Sequence, residues 1–434
     1  MKTLDEALEA CRALELPRRS ERLELNQAAG RYLTAPIIAP HDAPRWALSA
    51  MDGYAVAWAH SPAERYRVTQ VIAAGHAPQA LVAGQAARIM TGAPLPTGAD
   101  TVIIQEDVEE GSGARAGEGG EITLVSPPRR VGENVRQSAE ELAQGGLLLD
   151  IQPALSPADL ALAASQGLRE LSVWARPRVA ILSTGDELCE PGAELKVGQI
   201  YASNATLLKA LVEEAGAEAI DCGVARDKPS STREGFERAL AVKPDVIIST
   251  GGVSVGDFDP VRGVLAELGA RLDFWKVKMK PGKPLAVGAL GGVPLLALPG
   301  NPVSAAVSFF LFAWPLLRRA LGAPLERAEL PRLTLPLGEP LTKRHQRAEL
   351  MRVRSQLEPD SSGRLRPSWR LSGGQSSAWL SPLARAEALL LIPEGPISWE
   401  LGRSAEALAL PWAWERLLHL SQFNQLTRQG AEDE

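Results

Sequence analysis

Cysteine and histidine are scarce in this sequence, and they form no ligand cluster. The chain has 434 residues, of which 3 are cysteine and 5 are histidine. Cys11, Cys189 and Cys222 are an odd number and lie far apart, with no Cys-x-x-Cys pair. These features argue against a disulfide framework and against a zinc site. A reducing compartment fits such a chain, so we expect the protein to be cytoplasmic.

Basic arms and long apolar runs are also missing. The formal net charge is -6 without a lysine- or arginine-rich arm, which argues against a nucleic-acid partner. Residues 1–14 alternate charged and apolar positions at helical spacing, which predicts an amphipathic helix and not a signal peptide. The most apolar run, residues 305–317, is too short for a bilayer span and ends at Arg318 and Arg319. We expect a buried helix there and no membrane partner.

The chain is too long for one hydrophobic core, and its pattern changes several times. Short β-like runs between residues 45 and 143 predict an antiparallel β domain, and β-like runs return after Pro331. We expect separate regions at residues 1–44 with 144–177, at 45–143 (a β-rich insert), at 178–326 (an α/β domain), at 327–411 (a small C-terminal β domain) and at 412–434 (an extension).

The α/β region has the periodicity of a doubly wound sheet. Short apolar runs predict strands at residues 179–183, 219–222, 246–249 and 295–298. Helical stretches separate or follow them at residues 204–215, 231–240, 260–268 and 302–321. Buried strands that alternate with helices imply a parallel sheet with right-handed crossovers.

Glycine-rich turns follow three of these strands. They are Thr184-Gly185-Asp186-Glu187, the segment from Thr250-Gly251-Gly252 to Asp257, and Pro299-Gly300-Asn301-Pro302. In doubly wound sheets ligands bind at this edge, where glycine lets backbone N–H groups approach an anion. Asn301 and Pro302 also predict a helix N-terminus there. One such loop could be a plain tight turn, but three at one edge favour a phosphate-bearing ligand.

Acidic residues accompany the turns: Glu187, Asp227, Asp257 and Asp259. Mg²⁺ takes one or two carboxylates together with waters and phosphate oxygens, so these residues predict a divalent cation. Each of them could instead be a helix cap or a solvated loop charge. For the helix after Asp227 we expect Ser231 as N-cap and Glu234 completing a capping box, which leaves Asp227 freer for chemistry.

Lysines cluster between the third and fourth of these strands. Alternation along one strand would place Lys276, Lys278 and Lys280 on the same face, where an anion or the acidic residues should neutralise them. A solvated edge strand is the alternative. Lys283 is held in a Pro-Gly-Lys-Pro turn, which favours a functional role. Asp52, in a second polar turn, could simply be part of an Asp-Gly turn.

Long motifs in this order resemble the MoeA family of molybdopterin molybdenumtransferases, which is also found as the E domain of gephyrin. The resemblance runs from about Leu4 to about Leu410. The motifs are Ser49-Ala50-Met51-Asp52-Gly53-Tyr54-Ala55, Ile89-Met90-Thr91-Gly92-Ala93-Pro94-Leu95-Pro96, Gly98-Ala99-Asp100-Thr101-Val102, Ser183-Thr184-Gly185-Asp186-Glu187-Leu188, Gly251-Gly252-Val253-Ser254-Val255-Gly256-Asp257-Phe258-Asp259, Lys280-Pro281-Gly282-Lys283-Pro284 and Leu298-Pro299-Gly300-Asn301-Pro302-Val303-Ser304.

The resemblance implies an elongated homodimer of four-domain subunits with a MoaB/Mog-like α/β module. In such a subunit residues 1–44 and 144–177 would form the elongated dimerisation domain, and residues 327–411 would form a β-barrel-like domain. It implies that molybdate enters adenylylated molybdopterin, that AMP leaves, and that Mg²⁺ is required. The active cleft would lie between the α/β domain of one subunit and the Asp52-bearing domain of the other. Molybdopterin adenylyltransferase and molybdoenzyme acceptors would be its protein partners.

The resemblance also implies residue roles. The implied catalytic residues are Asp52, Glu187, Asp227, Lys276, Lys278 and Lys283. The implied metal ligands are Glu187, Asp257 and Asp259. The implied substrate-binding residues are Thr91, Ser183, Thr184, Gly185, Asp186, Gly251, Gly252, Ser254, Pro299, Gly300, Asn301 and Ser304.

The chain departs from the family's pattern in three places. Arg-x-x-Gly-x-Asp is usual where Arg136 is followed by Ala139 and Glu141, and an Asn-bearing motif is usual near Glu387. The segment beyond Pro411 is not explained by the resemblance.

Two rival functions stay open. One is adenylylation of molybdopterin, as in the sister enzymes, which carry Gly-Gly-Thr-Gly after the strand that ends at residue 249. The other is a non-catalytic role as a scaffold or cofactor carrier. The sequence does not distinguish molybdate from tungstate.

Overall fold

The computed structural model describes residues 1–117, 119–151, 153–252, 260–359, 363–414 and 416–417. The chain forms two compact units. One comprises Met1–Glu21, Gln152–Ala154 and Ser172–Glu434, and the other comprises Arg22–Ile151 and Leu155–Leu171. The finer domain boundaries expected from the sequence stay predictions.

The unit of Arg22–Ile151 and Leu155–Leu171 contains a six-stranded sheet. Its strands lie in the order Thr101–Ile104, Gly53–Val56, Gln85–Ile89, Arg65–Ile72, Glu121–Leu124, Val108–Glu110. Gln85–Ile89 and Arg65–Ile72 run parallel, so the expected antiparallel pattern is wrong at that pair. The sequence also missed Gly53–Val56 as a strand, because its Asp-Gly start resembles a turn. All of its residues are buried.

Shorter elements complete this unit. Ile37–Ile38 pairs with Leu147–Leu149, and Leu48–Ser49 pairs with Val135–Arg136, both antiparallel. The helix Pro157–Ser165 begins at Ser156, whose side chain and that of Asp159 form a capping box. Serine is favoured as an N-cap and proline in the first turn, which is why the helix begins here. Ser20–Glu24 and Glu170–Trp174 are strands at the borders of the two units.

The other unit is built on a second six-stranded sheet. We label its strands β1 (Arg178–Thr184), β2 (Glu218–Ala225), β3 (Val246–Thr250), β4 (Arg271–Lys276), β5 (Pro284–Leu290) and β6 (Val293–Leu298). They lie in the order β2-β1-β3-β6-β5-β4. The predicted strands β1, β2, β3 and β6 are parallel, as expected. β5 and β4 add an antiparallel edge that the sequence reading did not include, so the sheet is mixed.

Helices cover both faces of this sheet. They are α1 (Ser203–Glu214), α2 (Pro229–Ala241), α3 (Pro260–Glu267) and α4 (Pro302–Ser308). Alternate side chains of β1 point to opposite faces: Ile181 is in one core cluster with Leu208 of α1, whereas Leu182 is in another with Phe236 of α2. This alternation confirms the doubly wound arrangement, because each face of the buried strands has its own helical layer.

A long apolar helical segment begins with α4. It continues through a π-helical turn, Phe309–Ala313, into Trp314–Ala320. Pro302–Ala320 is long and apolar enough to cross a membrane by length and composition, but 83% of its apolar window is buried inside the protein. The helix predicted over residues 302–321 and its burial are therefore confirmed, although the whole segment is long enough for a span, unlike the apolar run 305–317 taken alone.

A third six-stranded sheet follows in the same unit. It contains Met279–Lys280, Ala348–Pro359, Ala388–Ile392, Ser404–Ala409 and Arg332–Pro336 in that order, with Leu365–Leu371 paired to Ala348–Pro359. Met279–Lys280 comes from the segment between β4 and β5 and pairs in parallel with Ala348 and Glu349. The lysine-rich segment therefore belongs to the C-terminal sheet as well as to the α/β domain.

The remaining elements of this unit are short. They are the helices Leu4–Arg12, Leu325–Ala328 and Leu380–Ala384, the strands Leu188–Cys189, Ile200–Tyr201, Leu341–Lys343 and Ile397–Trp399, and the 3-10 turn Pro411–Ala413. The helix Leu4–Arg12 has a capping box of Thr3 and Glu6 and buries Ala7 and Cys11, which confirms the predicted amphipathic helix. The extension expected over residues 412–434 falls largely outside the described residues.

Candidate functional site

The carboxyl ends of β1, β3 and β6 meet at one edge of the sheet. Thr250 at the end of β3 donates its hydroxyl to the carbonyl of Pro299 at 3.0 Å. The N–H of Gly251 donates to the carbonyl of Leu298 at 3.2 Å, and the Thr184 hydroxyl donates to the Thr250 carbonyl at 3.4 Å. The structure therefore brings the three glycine-rich turns together.

Glycine is required where these turns touch. Gly251 has φ +90°, and a Cβ on it would lie 2.3 Å from the carbonyl oxygen of Thr184. Gly252 has φ +63°, and its Cβ would lie 2.2 Å from a methyl group of Val261. Both residues need left-handed backbone and an empty Cβ position, because the neighbouring chain occupies that space.

Asn204, in the first turn of α1, joins two of the turns. Its amide donates to the Thr250 hydroxyl at 2.9 Å and to the Gly300 carbonyl at 2.8 Å. Its Oδ1 is buried without a partner in the described part of the chain, as are the hydroxyls of Ser183 and Ser249. Buried polar atoms are normally paired, so these three are exceptions in the helix and the strands that lead to the turns. Sequence reasoning missed Asn204 because an asparagine beside Ser203 at a helix start is typical of a cap.

Two acidic loops lock together after β1 and β2. The N–H of Asp186 donates to the Asp227 carboxylate at 3.2 Å, and the N–H of Asp227 donates to the Asp186 carboxylate at 3.1 Å. Arg226 donates to the carbonyls of Asp186 and Leu188, each at 3.0 Å. Asp227 is therefore held in place by backbone contacts and is not as free as the sequence suggested.

The expected capping box after Asp227 is wrong. The helix α2 begins at Pro229, and its N-cap is Lys228 without a side-chain capping bond. The Ser231 hydroxyl instead accepts the N–H of Arg226 at 2.9 Å. Proline is favoured in the first turn of a helix, which moves the start ahead of the predicted one.

Glu187 has an exposed carboxylate at this edge, as do Asp186 and Asp227. Its oxygens lie 2.5 and 2.6 Å from the position that a Cβ on Gly185 would take, so the carboxylate covers the Gly185 backbone. Among the described residues, no group of three or more histidine, cysteine, aspartate or glutamate side chains could hold a metal ion. The predicted ligands Asp257 and Asp259, and Ser254, lie outside the described residues. The described residues thus offer Mg²⁺ the exposed carboxylates of Asp186, Glu187 and Asp227 without a complete ligand group, which suits an ion that keeps waters and phosphate oxygens as ligands.

The sequence predicted that the lysines share one strand face, and this prediction is wrong. β4 ends at Lys276, and the chain then enters the C-terminal sheet. Lys278 lies 2.5 Å from Glu394, and Lys280 lies 2.9 Å from the buried carboxylate of Glu349. Protein carboxylates thus neutralise these two lysines. Lys276 and the exposed Lys283 have no ion pair within the described ranges, so their charges remain available to an anion.

The turn that carries Lys283 is fitted against the long apolar helix. Gly282 has φ +100°, and a Cβ there would lie 2.3 Å from the Met279 methyl carbon and 2.9 Å from the Ser308 hydroxyl. Ser308 is the last residue of α4, and Asn301 directly precedes this helix. The Lys283 turn therefore packs on the same helix whose N-terminus lies at the edge.

The C-terminal domain also reaches this edge. Asn301 precedes α4 as predicted, but its side chain does not cap the helix. Its amide donates to the Ser377 hydroxyl at 3.1 Å, and the Ser377 carbonyl accepts the N–H of Val303 at 3.1 Å. Ser304, the last predicted residue of this loop, is buried. Ser377 was missed because its contacts are 76 residues away along the chain.

Asp52 and Thr91 form a pair in the other compact unit. The N–H and the hydroxyl of Thr91 both donate to one Asp52 oxygen at 2.7 Å. These hydrogen bonds, the backbone one first, lower the pKa of Asp52 below its ordinary value of 3.8. Two residues that the sequence assigned to one site are therefore in contact, and Asp52 is ionised near neutral pH.

Ala139 occupies an unusual backbone conformation. It stands where the family's motif usually has glycine, and its φ is +62°. The N–H of Glu141 donates to the Ala43 carbonyl at 2.9 Å. The loop therefore keeps the left-handed turn that glycine favours, with an alanine in it.

The fold and the site define a class of proteins in which a doubly wound α/β domain with an anion-binding edge is combined with a β-rich unit and a C-terminal β sheet. Three family models match the chain in order: the MoeA N-terminal region (domain I and II) over residues 2–167, a probable molybdopterin binding domain over 180–319, and the MoeA C-terminal region (domain IV) over 334–410.

Relatives extend the match over most of the chain. It is 37% identical to the molybdopterin molybdenumtransferase of Nostoc sp., covering 90% of this chain and 89% of that one. It is 40% identical to molybdopterin molybdenumtransferase 2 of Mycobacterium tuberculosis, covering 74% and 78%. A crystal structure of the molybdopterin biosynthesis MoeA protein of Pyrococcus horikoshii superposes with a TM-score of 0.78 at 31% identity, covering 94% of this chain and 98% of that chain. The chain belongs to the MoeA family of molybdopterin molybdenumtransferases.

Proposed function

We propose that this protein inserts molybdate into adenylylated molybdopterin and releases AMP, the last step in making molybdenum cofactor. The supporting observation is the edge where Thr184, Gly251 and Pro299 meet. Left-handed glycines, a helix N-terminus and unpaired buried oxygens converge there. Such an edge suits a phosphate-bearing ligand, because backbone N–H groups and a helix dipole favour negative charge.

Charge neutralisation would come from both sides of this edge. Lys276 and Lys283 supply positive charge for molybdate and the pterin phosphate. Mg²⁺, held by Glu187 together with Asp257 and Asp259, would neutralise and polarise the phosphate oxygens when bound. Asp227 is oriented by the Asp186 N–H and adds a fixed negative charge beside that ion. Phosphoanhydride cleavage depends on positioning and on charge neutralisation, which these groups provide.

We further propose a homodimer in which Asp52 and Thr91 of the partner subunit complete the cleft. Asp52 supports this role because its carboxylate is exposed and is held in place by the Thr91 N–H and hydroxyl. Molybdopterin adenylyltransferase and molybdoenzymes would supply the substrate and take the product, in the cytoplasm.

Product analysis tests the proposed function. Purified protein is incubated with adenylylated molybdopterin and Mg²⁺, with molybdate or tungstate, and AMP and metal-loaded pterin are quantified. We expect oxyanion-dependent AMP release that falls at least tenfold in Lys283→Gln. Lys209→Gln is the matched control, because Lys209 is an exposed lysine of α1. ATP consumption with free molybdopterin would instead identify the adenylyltransferase. No AMP release by the wild-type protein with either oxyanion would favour a scaffold, whereas wild-type turnover after neutralising Glu187, Asp227 and Asp259 together would remove the catalytic role of these acids.

A further inference from the structure

Trp379 is a large aromatic side chain left exposed beside the candidate site. It precedes the short helix Leu380–Ala384, and 57% of its surface is exposed. A single exposed apolar side chain needs no explanation by itself. Two features distinguish Trp379 from an ordinary surface residue. The loop of residues 372–379 that holds it is hydrogen-bonded to Arg352, and the same loop contacts Asn301 at the start of α4.

The loop of residues 372–379 is fastened to Arg352. Gln375 accepts the Arg352 N–H at 2.9 Å and donates to the Arg352 carbonyl at 3.2 Å. The Ser372 hydroxyl donates to the same carbonyl at 3.1 Å, and the Arg352 guanidinium donates to the Gly374 carbonyl at 2.9 Å. Arg352 is fully buried. The loop is therefore a rigid support and not a loose surface segment.

The Trp379 ring has a seat on this support. A Cβ on Gly374 would lie 2.3 Å from Cζ3 and 2.8 Å from Cε3 of the ring, so the ring edge lies directly against the Gly374 backbone. Glycine thus makes room for the indole, while more than half of the side chain stays open to solvent. A fixed ring with an exposed face loses little entropy when another ring stacks on it.

The same loop brings Trp379 to the edge of the phosphate crevice. Ser377, two residues earlier, contacts Asn301 and accepts the N–H of Val303 at the start of α4. An extended chain advances about 3.3 Å per residue, so Trp379 lies within roughly 7 Å of that contact along the backbone. Trp379 is therefore close along the chain to the residues that meet the glycine-rich edge, where the proposed function places the phosphates of the ligand.

We propose that Trp379 is a stacking platform for a flat heteroaromatic ring of the substrate. The inference rests on the proposed function, since adenylylated molybdopterin carries two such rings, a pterin and an adenine. Both have a π face that stacks on tryptophan, and the phosphates between them would be held at the glycine-rich edge. Trp379 is a binding residue in this account and takes no part in bond making or breaking.

The test compares Trp379→Leu, which removes the aromatic face, with Trp379→Tyr, which keeps one. Trp412→Leu is the matched control: Trp412 is also exposed on the C-terminal domain, by 46%, but it packs on Phe310 and donates to the Ala386 carbonyl, not to the loop at the site. Affinity for AMP and for 6-hydroxymethylpterin is measured by calorimetry, and the KM and kcat for adenylylated molybdopterin are measured in parallel. Thermal unfolding of every variant reports whether it is folded.

Stacking of a base on an aromatic residue contributes about 1–3 kcal/mol, so Trp379→Leu should weaken binding of one probe about 5- to 100-fold. The probe that is weakened identifies the stacked ring. Trp379→Tyr should restore most of the affinity, KM should rise with little change in kcat, and Trp412→Leu should match the wild type.

The inference is overturned if Trp379→Leu binds both probes with an affinity within twofold of wild type and has a KM within twofold of wild type. If neither probe binds the wild-type protein alone, the KM of the full substrate decides. A wild-type protein that binds a ring through Trp379 but releases no AMP would refute the proposed function and leave the stacking site standing. Normal turnover with an unchanged KM in Trp379→Leu would refute the stacking site and leave the proposed function standing.

Discussion

Asp186 and Asp227 each donate a backbone N–H to the carboxylate of the other, at 3.2 and 3.1 Å respectively. This reciprocal pair joins the loops after β1 and β2, which are 41 residues apart in the chain. One oxygen of each carboxylate is used for structure, and the other remains for the site. Structural and functional roles of Asp227 can therefore be separated by substitution.

Asp227→Asn keeps an acceptor for the Asp186 N–H but removes the charge. We expect stability to change by less than about 0.5 kcal/mol, because the residue lies on the surface. We expect turnover to fall at least tenfold if the charge acts at the site. Asp227→Ala, which also removes the acceptor, should lose a further ~1 kcal/mol of stability. Denaturant unfolding measures the stability of each variant, and AMP release measures its turnover. Equal turnover of Asp227→Asn and wild type would contradict a role for the Asp227 charge at the site.

Gly251→Ala tests the close packing of the crevice. The new Cβ would lie 2.3 Å from the Thr184 carbonyl oxygen, in left-handed backbone. We expect a loss of several kcal/mol, of order 2–4, or displacement of the turn and loss of substrate binding. Gly263→Ala is the control, since a Cβ on this helical glycine meets nothing within 4 Å. It should stabilise the protein by about 0.5–1 kcal/mol without affecting turnover. A Gly251→Ala protein with normal AMP affinity and stability would show that the turn is not tightly packed.

The hydrogen bonds between Asp52 and Thr91 predict how stability depends on pH. The Thr91 N–H and hydroxyl lower the pKa of Asp52 below 3.8. Because the folded-state pKa is depressed, the stability from this pair is present above the unfolded pKa and is lost as pH falls through the folded pKa, so the loss is confined to pH below about 4. Thr91→Val keeps only the backbone donor, so the pKa of Asp52 should rise without exceeding 3.8. Carboxyl NMR titration measures it; an unchanged pKa would contradict the hydroxyl bond.

Ala139→Gly should stabilise the protein. A non-glycine residue in left-handed backbone costs about 1–2 kcal/mol, and glycine's greater freedom in the unfolded chain offsets part of the gain. At φ +62° we expect a net gain of about 0.5–1 kcal/mol, measured by urea unfolding of the two proteins. A destabilised Ala139→Gly protein would mean that the Ala139 methyl group makes contacts that outweigh the backbone strain.

The parallel strands and the glycine-rich edge could be predicted because they leave a local signature. β1 and β3 are short buried apolar runs followed by glycine, and this pattern needs no knowledge of distant residues. The strand Gly53–Val56 could not be predicted in this way. Its glycine is there because a Cβ would lie 2.0 Å from the Ile103 carbonyl oxygen, on a strand far along the chain.

The partners of the site residues depended on tertiary contacts. Alternation suggested that Lys278 and Lys280 share a face with Lys276, but the chain leaves β4 and joins another sheet, where Glu394 and Glu349 pair with them. Asn204 and Ser377 have no motif of their own, and only their contacts with Thr250, Gly300 and Asn301 reveal them. Local patterns locate such a site, whereas its lining is set by residues distant in sequence.

Oxyanion-dependent AMP release tests the central claim most directly. The wild-type protein, adenylylated molybdopterin and Mg²⁺ are mixed with and without molybdate, and AMP is quantified against metal-loaded pterin. The account predicts one AMP for each molybdenum inserted, with release falling at least tenfold in Lys283→Gln and unchanged in Lys209→Gln. AMP release that is independent of molybdate, or equal in both lysine variants, would contradict it.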